Sequence, residues 1–384
     1  MTQSKRNILF LSIPGSVHDQ KWMSPVALDP QTSCYFIGVD HQRPLVNFTT
    51  KDWLNQNQIT LLGTLAPFSI RHLFRTIQQL WWLRRVIVRH HIHQIHIFYA
   101  EPHALWALVA LIHKIPISLT TRGTDVLRGL KTTFESKMPF NRWLVAPLYR
   151  LAFRKIKAIT ATSQRQQAGL KEIGVSAPIS IIRTGVDLAW LSSFTSQKHP
   201  KSPNLPYVFF PRLMKPLYNH EFALSALAKL APEIRSKYAW VFINSDTQNT
   251  SYLNRIQSLM NHAGDNIFWL PQQTQAEMMQ LYAQASAVVM TPLSDGSPVS
   301  AMEAMAFGKP LILGPLPYDD DLFHPSWVYR LNSWDYDEFN SLLEEALTLD
   351  TKSEKALEIV QVKGSWEEQM EQFKQLLINL HTPR

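Results

Sequence analysis

The chain has 384 residues, of which 45% are hydrophobic and 18% are charged. This length is sufficient for two domains with separate cores, and this composition excludes a disordered chain. The net charge of +8 is uneven, because residues 1–190 hold 23 Lys and Arg against 9 Asp and Glu, whereas residues 191–384 hold 15 against 21. The basic first half is therefore expected to face an anionic surface or acceptor, with membrane phospholipid and nucleic acid as the candidates.

Cysteine content and hydropathy indicate the compartment. The single cysteine, Cys34, excludes an internal disulfide framework and fits a reducing compartment. The first residues, MTQSKRNILFLSIPG, contain too short an apolar run for a signal peptide. The most apolar later run, residues 104–112, is about half the length that a bilayer-spanning helix needs. We expect a cytoplasmic protein, which could still lie at the inner face of the cytoplasmic membrane.

Buried strand patterns alternate with helical patterns along the first half of the chain. The predicted strands are residues 7–12, 34–39, 95–99, 117–120, 158–161 and 179–182. The turn Pro14-Gly15-Ser16 follows the first of them, where α/β folds bind ligands, but no G-x-G-x-x-G motif accompanies it. Strands that alternate with helices predict a parallel sheet covered on both faces.

Two segments of this half combine basic and aromatic residues. Residues 68–93 carry five arginines and a helical stripe of apolar residues at positions 70, 73, 74, 77, 80 and 81. Such a helix can lie in a membrane interface, or it can pack on a sheet with a basic outer face. Residues 141–157, NRWLVAPLYRLAFRKIK, form a second basic aromatic surface. Together the segments indicate contact with an anionic membrane and a lipid-linked or membrane-proximal acceptor.

The alternation resumes after a polar stretch that contains three prolines. We predict an N-terminal domain (1–190), a linker (191–206), a C-terminal domain (207–363) and a C-terminal helix (364–384) that could pack back on the N-terminal domain. The predicted strands of the C-terminal domain are residues 207–210, 239–244, 267–270, 287–290 and 311–313.

The most informative local pattern follows the strand 287–290. Turn residues break that strand, and Ser297 with Pro298 predicts the N-cap and first residue of a helix that runs to about residue 307. A loop and helix start at the carboxyl end of a parallel strand form an anion site. Two acids, Asp295 and Glu303, stand eight residues apart around it.

The segment SDGSPVSAMEAMAFGKPLI resembles the acid-x7-acid signature of retaining glycosyltransferases of family 4, which have the two-domain GT-B fold. Four further segments resemble family motifs in the family order: TTRGTDV, ITATSQRQQAGLKEIGV, IIRTGVDLAWL and FFPRLMKPLYNHEFALSAL. The resemblance covers most of the chain. It implies two Rossmann-like α/β domains whose parallel sheets face a cleft.

The resemblance implies a nucleotide-sugar donor, UDP- or GDP-linked, on the C-terminal domain, with no cofactor and no metal. In that family the second acid binds the ribose hydroxyls and the first acid, with the loop amides, holds the transferred sugar. A carboxylate suits this work because it accepts from two hydroxyls at once. The family usually has Glu where this chain has the shorter Asp, which bears on the choice of sugar. The implied donor-binding residues are Asp295, Gly296, Ser297, Pro298, Val299 and Glu303, with Gly15 from the first turn.

Arg212 matches the family arginine that holds the diphosphate and neutralises charge on the departing nucleotide, a role that suits the permanently charged guanidinium fork. The partner lysine usually lies five residues further on, where this chain has Leu217, and Lys215 is the nearby substitute.

On the acceptor side, Arg122 stands where the family often has histidine, and Asp125 matches the acid of the same motif. Glu101 and His103 follow the third predicted strand and are the candidates to replace that histidine near the reacting carbon.

Structural alternatives stay open for several of these residues. Glu303 has capping-box spacing from Ser300 and could cap a helix that begins there. Asp295 could be a turn residue, Asp125 could cap the segment that follows it, and His103 could be a satisfied histidine at a helix start. The run Asp319-Asp320-Asp321 is expected to be a solvated loop or helix start rather than a metal site, and no His/Cys cluster has zinc spacing.

The sequence therefore predicts a retaining, metal-independent glycosyltransferase that moves a sugar to an acceptor hydroxyl of a glycan or lipid-linked molecule, in surface glycan or glycolipid assembly. Two alternatives are a nucleotide-sugar 2-epimerase of the same fold and an inactive GT-B subunit that binds a partner enzyme or membrane. No nucleic-acid partner is expected, because no recognised binding module occurs in the basic half.

Overall fold

The computed structural model describes residues 5–39, 48–244, 249–264 and 266–380. The outermost residues of the predicted N-terminal domain and C-terminal helix, 1–4 and 381–384, lie outside the described residues. The chain forms two compact units: Met1–Thr184 with Glu368–Arg384, and Gly185–Glu367. Each unit is a Rossmann-like α/β domain built on a parallel sheet, which confirms the predicted fold class.

The first unit is built on seven parallel strands. They are β1 (Arg6–Ser12), β2 (Thr32–Val39), β3 (Thr60–Leu65), β4 (Gln94–Phe98), β5 (Ile117–Thr120), β6 (Ala158–Ala161) and β7 (Ile179–Ile181). Their order in the sheet is β3-β2-β1-β4-β5-β6-β7. The sequence pattern did not predict β3, because this edge strand is mostly half-buried or exposed and lacks a buried apolar run.

Helices cover the sheet of the first unit. The α-helices are α1 (Val17–Ala27), α2 (Phe48–Gln56), α3 (Leu73–Arg89), α4 (Lys131–Phe134), α5 (Ala146–Lys155) and α6 (Gln164–Glu172). Two π-helices span Asp125–Leu130 and Asn141–Val145. The apolar run after β4 forms a mostly buried 3-10 helix, His103–Leu111.

The second unit is built on six strands. They are β8 (Tyr207–Leu213), β9 (Ala239–Ile243), β10 (Ile267–Leu270), β11 (Ala287–Met290), β12 (Leu311–Leu313) and β13 (Tyr329–Arg330), in the sheet order β10-β9-β8-β11-β12-β13. Side chains of the central strands alternate between two apolar layers: Tyr207 and Phe209 enter one core, whereas Val208 and Phe210 enter the other. This alternation explains why β8 reads as an uninterrupted apolar run.

The helices of the second unit are α7 (Leu188–Ser192), α8 (His220–Leu227), α9 (Pro232–Arg235), α10 (Thr250–Ala263), α11 (Gln275–Gln284), α12 (Val299–Ala306), α13 (Asp320–Phe323), α14 (Tyr336–Thr348) and α15 (Ser353–Lys363), with a 3-10 turn at Pro216–Tyr218. Within the part of the chain that the structure describes, no helix has both the length and the apolar character needed to cross a bilayer.

The division of the chain differs from the predicted boundaries. The first unit ends at Thr184, and Leu191 and Phe194 of the predicted linker pack into the core of the second unit. The last helix, α16 (Trp366–Asn379), returns to the first unit from Glu368 onward. There Phe373 packs edge-on against Trp22, with ring centroids 4.9 Å apart. The return agrees with the predicted possibility that the C-terminal helix packs back on the N-terminal domain.

Candidate functional site

The carboxyl ends of β8 and β11 bring the predicted donor residues of the second unit together. β8 and β11 are neighbouring parallel strands, so the segments that follow them meet at the same edge of the sheet. Arg212, near the end of β8, forms an ion pair with Asp295, in the loop after β11, although 83 residues separate them in sequence. Two residues that the resemblance assigned to different parts of a donor are therefore in direct contact.

The guanidinium of Arg212 is fixed from two sides. Its carboxylate partner is Asp295, and the ring of Tyr218 lies beneath it, with 4.8 Å between the Cζ atom and the ring centroid. The Arg212 side chain is 20% exposed. Its Nε atom is buried and has no hydrogen-bond partner among the described residues. A permanently charged group held in this way is preorganised to bind an anion.

Helix α12 begins one residue later than predicted. Pro298, with an extended ψ of 112°, is the N-cap, and Val299 rather than Pro298 is the first helical residue. Ser297 therefore does not cap the helix, and its buried Oγ atom lacks a hydrogen-bond partner within the described chain. The amide of Gly296 donates to Asp295 Oδ1 over 2.8 Å, so this amide holds the carboxylate in place.

Glu303 lies in the interior of α12. The alternative prediction, that Glu303 caps a helix beginning at Ser300, is wrong. Ser300 stands in the first turn of the helix and not at its N-cap, so the capping box cannot form there. The Glu303 side chain instead lines a cavity of about 290 Å³ that Arg212 also lines. Burial, followed by the charge of Glu303, raises the pKa of the neighbouring Tyr282 hydroxyl well above its usual range.

The same cavity contains residues that the sequence did not assign to the donor site. Its other lining residues are Pro211, Leu213, Tyr218, Gln275, Met278, Met279, Tyr282 and Ser300. Apolar walls with a few convergent polar groups are typical of small-molecule sites. Of these residues, Tyr218 in the segment KPLYNH is the one whose local sequence could have indicated the site. Met278 and Met279 have the pattern of ordinary core positions of α11.

Lys215 is exposed and lies one residue before the 3-10 turn Pro216–Tyr218. Leu217, which stands at the family lysine position, is also exposed, and its carbonyl accepts the Leu293 amide over 2.8 Å. The contact that the structure gives Arg212 from this segment is therefore the ring of Tyr218 and not a second cation.

His220 stabilises the backbone beneath Arg212. Its Nε2–H donates to the carbonyl oxygens of Arg212 and Leu213, over 3.0 and 3.1 Å, so that nitrogen carries the proton. Burial is the main cause that lowers the pKa of His220, to about 4. The histidine therefore stays neutral in the folded protein at pH values where the unfolded chain already binds a proton.

We expect His220 to make the second unit sensitive to acid. Between the ordinary pKa of 6.5 and the folded value of about 4, the unfolded state binds more protons, so stability falls as pH falls through this window. At pH 5 the loss is about 2 kcal/mol. Urea unfolding at pH 7 and pH 5 measures this loss. The variant His220→Gln should lose about 2 kcal/mol less than the wild type between these pH values, because glutamine does not titrate and its amide can still donate to the carbonyls. The exposed His262→Gln is the matched control, and equal acid sensitivity of all three proteins would contradict the prediction.

In the first unit, Asp125 does not cap the segment that follows it, because Thr124 is the N-cap of the π-helix Asp125–Leu130 and makes no side-chain cap bond. The Asp125 carboxylate is buried and accepts the amides of Ala100, Arg122, Gly123 and Val126, at 2.7 to 3.0 Å. These bonds tie the end of β4 to the start of the π-helix Asp125–Leu130. Burial, the largest influence, raises the pKa of Asp125, and the four amide bonds oppose that shift.

Arg122 is held in an internal ion pair. It donates to Oδ1 of the fully buried Asp19, with 3.0 Å from its Nε atom, and Asp19 also accepts the hydroxyl of Ser12. The guanidinium lies over the rings of Trp22 and Phe98, at 4.8 and 5.0 Å. The sequence did not single out Asp19, because HDQ at the start of α1 carries no recognised motif.

The remaining candidates of the first unit lie near the carboxyl ends of β1 and β4. His103 is 1% exposed, and its Nδ1 atom bonds to the Phe98 carbonyl over 2.9 Å. The half-buried Glu101 packs beside Gly129 in the π-helix Asp125–Leu130. Gly15 is exposed and adopts a φ of 79°, which favours glycine at this turn.

The run Asp319-Asp320-Asp321 after β12 lies at the start of a short helix. Asp320 pairs with Arg330 over 2.7 Å, and Asp319 is the N-cap of α13. Across the described ranges, no group of three or more His, Cys, Asp or Glu side chains could hold a metal ion.

Comparisons with known proteins agree with this arrangement. The family model described as Glycosyltransferase Family 4 matches residues 45–190, and the model described as Glycosyl transferases group 1 matches residues 192–323. A search of curated protein sequences gives no match.

Solved structures of low sequence identity share the fold. A glycosyltransferase from Rickettsia africae is 13% identical, with a TM-score of 0.77 over 99% of this chain and 100% of the other. Anabaena HepE in complex with UDP is 16% identical, with a TM-score of 0.75 over 97% and 100%. Sucrose-phosphate synthase from Thermosynechococcus elongatus is 16% identical, with a TM-score of 0.69 over 98% and 99%.

Two Rossmann-like units define a two-domain protein of the GT-B class. Family models match the greater part of both units. The chain belongs to glycosyltransferase family 4, the glycosyl transferases of group 1.

Proposed function

We propose that this glycosyltransferase moves a sugar from a UDP- or GDP-linked donor to an acceptor hydroxyl, with retention of configuration and without a metal. The observation that carries the proposal is the cavity at the carboxyl end of β8, which Arg212 and Glu303 line together. An arginine and a carboxylate in one small cavity match two adjacent parts of a nucleoside diphosphate, its phosphates and its ribose diol.

Arg212 is proposed to bind the diphosphate and to neutralise the charge that develops on the leaving nucleotide. The buried Nε–H and the fork held by Asp295 and Tyr218 support this role. Because a guanidinium supplies this positive charge, the reaction needs no metal ion at the phosphates. Lys215, from the adjacent exposed turn, is the candidate for an additional phosphate contact on donor binding.

Glu303 is proposed to accept hydrogen bonds from the ribose hydroxyls, and Asp295 with Gly296, Ser297, Pro298 and Val299 to surround the transferred sugar. The buried Oγ of Ser297 is a hydroxyl suited to such a contact. Attack of the acceptor on the same face that the diphosphate leaves, with the leaving phosphate accepting the acceptor proton, would retain the configuration.

Structures of similar fold support the choice of donor. Anabaena HepE is described in complex with UDP and with UDP-glucose, and a trehalose-6-phosphate structure from E. coli is described with UDP-2-fluoro glucose. The shorter Asp295 is expected to bear on which sugar this chain accepts.

The acceptor is proposed to be a glycan or a lipid-linked intermediate that the basic first unit binds, in surface glycan or glycolipid assembly at the cytoplasmic face of the membrane. The excess of 14 positive charges in residues 1–190 supports an anionic acceptor or surface. Gly15, Glu101, His103, Arg122 and Asp125 are candidates for this side. The internal contacts of Arg122 and Asp125 indicate that these two act mainly by shaping it.

A panel of nucleotide sugars tests the proposal. We expect one UDP- or GDP-sugar to be hydrolysed slowly without acceptor, and its nucleotide to raise the melting temperature. If no member of the panel is hydrolysed or transferred, and none causes a thermal shift, the proposal is refuted. Interconversion of the free nucleotide sugar would identify an epimerase, and nucleotide binding without turnover would indicate an inactive subunit.

A further inference from the structure

The outward face of α3 is apolar although nothing in the described chain covers it. The α3 stripe comprises five exposed side chains: Leu73, Phe74, Ile77, Trp81 and Val88. Phe74 is 76% exposed and Trp81 is 48% exposed. Large apolar surfaces of this kind mark contact with a membrane or another protein.

The helix has three distinct faces. At about 100° per residue, the α3 stripe occupies one sector roughly 100° wide. The buried residues Thr76, Leu83, Val86 and Ile87 occupy the opposite sector and attach the helix to its unit. Between the two lie the exposed Arg75, Arg85 and Arg89. One face of α3 therefore packs on its unit, as the second predicted alternative has it, and an apolar face and a basic face stay exposed.

A second exposed apolar patch lies in the same unit. This π-helix patch comprises Met138, Phe140, Trp143 and Leu144, and Trp143 is 75% exposed. Helix α5, which continues directly from it, contacts the 3-10 helix His103–Leu111, and α3 contacts this 3-10 helix as well. The helix that bears the α3 stripe and the helix that follows the π-helix patch therefore both contact the 3-10 helix His103–Leu111.

Charge favours an anionic occupant for this surface. The sequence has no Asp or Glu from residue 53 to residue 100, nor from residue 136 to residue 171. The guanidinium of Arg84 lies 5.6 Å from the ring centre of Trp81, and that of Arg142 lies 5.7 Å from the ring centre of Trp143. Tryptophan beside arginine is suited to the boundary between lipid headgroups and acyl chains.

We infer that the α3 stripe and the π-helix patch dock on an anionic phospholipid bilayer. The apolar side chains enter the acyl boundary, and the flanking arginines bind lipid phosphates. Apolar exposure alone would fit a protein partner equally well, but two segments that carry arginines and no acid, residues 53–100 and 136–171, match an anionic lipid surface better. The inference deepens the acceptor side of the proposed function by naming the surface where a lipid-linked acceptor would be met.

Vesicle flotation with the full chain tests the inference without any sugar transfer, so it can fail separately from the proposed function. We expect binding to vesicles of phosphatidylcholine with 30% phosphatidylglycerol, and weak binding to pure phosphatidylcholine. Raising NaCl from 0.1 to 0.5 M should weaken binding, because salt screens the attraction between the arginines and the lipid phosphates.

Two variants assign the binding to this surface. The double variant Phe74→Glu/Trp81→Glu should lower vesicle binding at least about tenfold, because it removes apolar insertion and adds repulsion. Trp143→Glu should produce a smaller loss. Val362→Glu is the matched control, because Val362 is 67% exposed on α15 of the acidic unit and its replacement should leave binding unchanged.

Three results would overturn the inference. The first is no binding of the wild type to phosphatidylglycerol vesicles, and the second is unchanged binding of the double variant. The third is that the wild type is a dimer in sedimentation velocity whereas the double variant is a monomer. The last result would show that a second copy of this chain covers the surface. Melting temperatures equal to that of the wild type establish that the variants are folded, which is expected because the replaced side chains are exposed.

Discussion

Replacing Arg212 with alanine is expected to lower kcat for sugar transfer by about 10²- to 10³-fold. The guanidinium is a cationic group in the lining of the cavity and would meet the developing negative charge of the leaving diphosphate. Stabilisation of charge that appears only in the transition state acts on kcat more than on KM. Steady-state transfer of the best donor in the panel measures the loss.

Two companion variants separate charge from geometry. Arg212→Lys keeps the charge but loses the planar fork and the stacking on Tyr218, so we expect it to recover only a small part of the activity. Arg255→Ala is the matched control, because Arg255 lies in the same unit, is 70% exposed and also pairs with a carboxylate, that of Glu221. A kcat for Arg212→Ala within about threefold of the wild type would exclude Arg212 from catalysis.

The ion pair between Arg212 and Asp295 predicts that the effects of replacing the two residues are not independent. Because the two side chains are in contact, the loss in the double variant Arg212→Ala/Asp295→Asn should be smaller than the product of the two single losses. Multiplicative losses would indicate that the two residues act independently in the donor complex.

Replacing Glu303 with glutamine is expected to raise KM for the donor by about 100-fold, with a smaller change in kcat. A carboxylate can accept from both ribose hydroxyls through charge-assisted bonds, each worth about 1.5–3 kcal/mol, whereas the amide offers one acceptor oxygen. The proposed ribose contact would be the same in ground state and transition state, so the effect is expected to fall on KM.

A donor without the ribose 2′-hydroxyl provides the sharper test. The wild type should bind this analogue more weakly than the ribose donor, and Glu303→Gln should discriminate much less between the two. Glu358→Gln, on the exposed face of α15, is the matched control. A lower melting temperature of Glu303→Gln with unchanged donor KM would show instead that Glu303 supports the packing of α12 against Tyr282.

The sequence alone determined the architecture of both units. Alternating apolar strands and helices predicted parallel sheets, and the bounds of β5, β6, β10, β11 and β12 agree with the predicted strands to the residue. These elements depend on local patterns, since a strand buried on both faces must be apolar throughout. The acid-x7-acid segment was recognisable for the same reason, because a turn and a helix start are encoded by neighbouring residues.

Local patterns were weaker where an element is exposed or short. Strand β3 lies at the edge of its sheet, and β13 has two residues, so neither carries a buried apolar run. The start of α12 was misplaced by one residue, since Pro298 is compatible with both the N-cap and the first helical position.

Only the tertiary structure decided which side chains act together. Arg212 meets Asp295 because β8 and β11 are neighbours in the sheet, and Arg122 meets Asp19 across 103 residues. Likewise, a helical stripe in α3 could not be assigned to core or surface until its packing was known. Burial and pairing are properties of the assembled fold, whereas strand and helix patterns are properties of neighbouring residues.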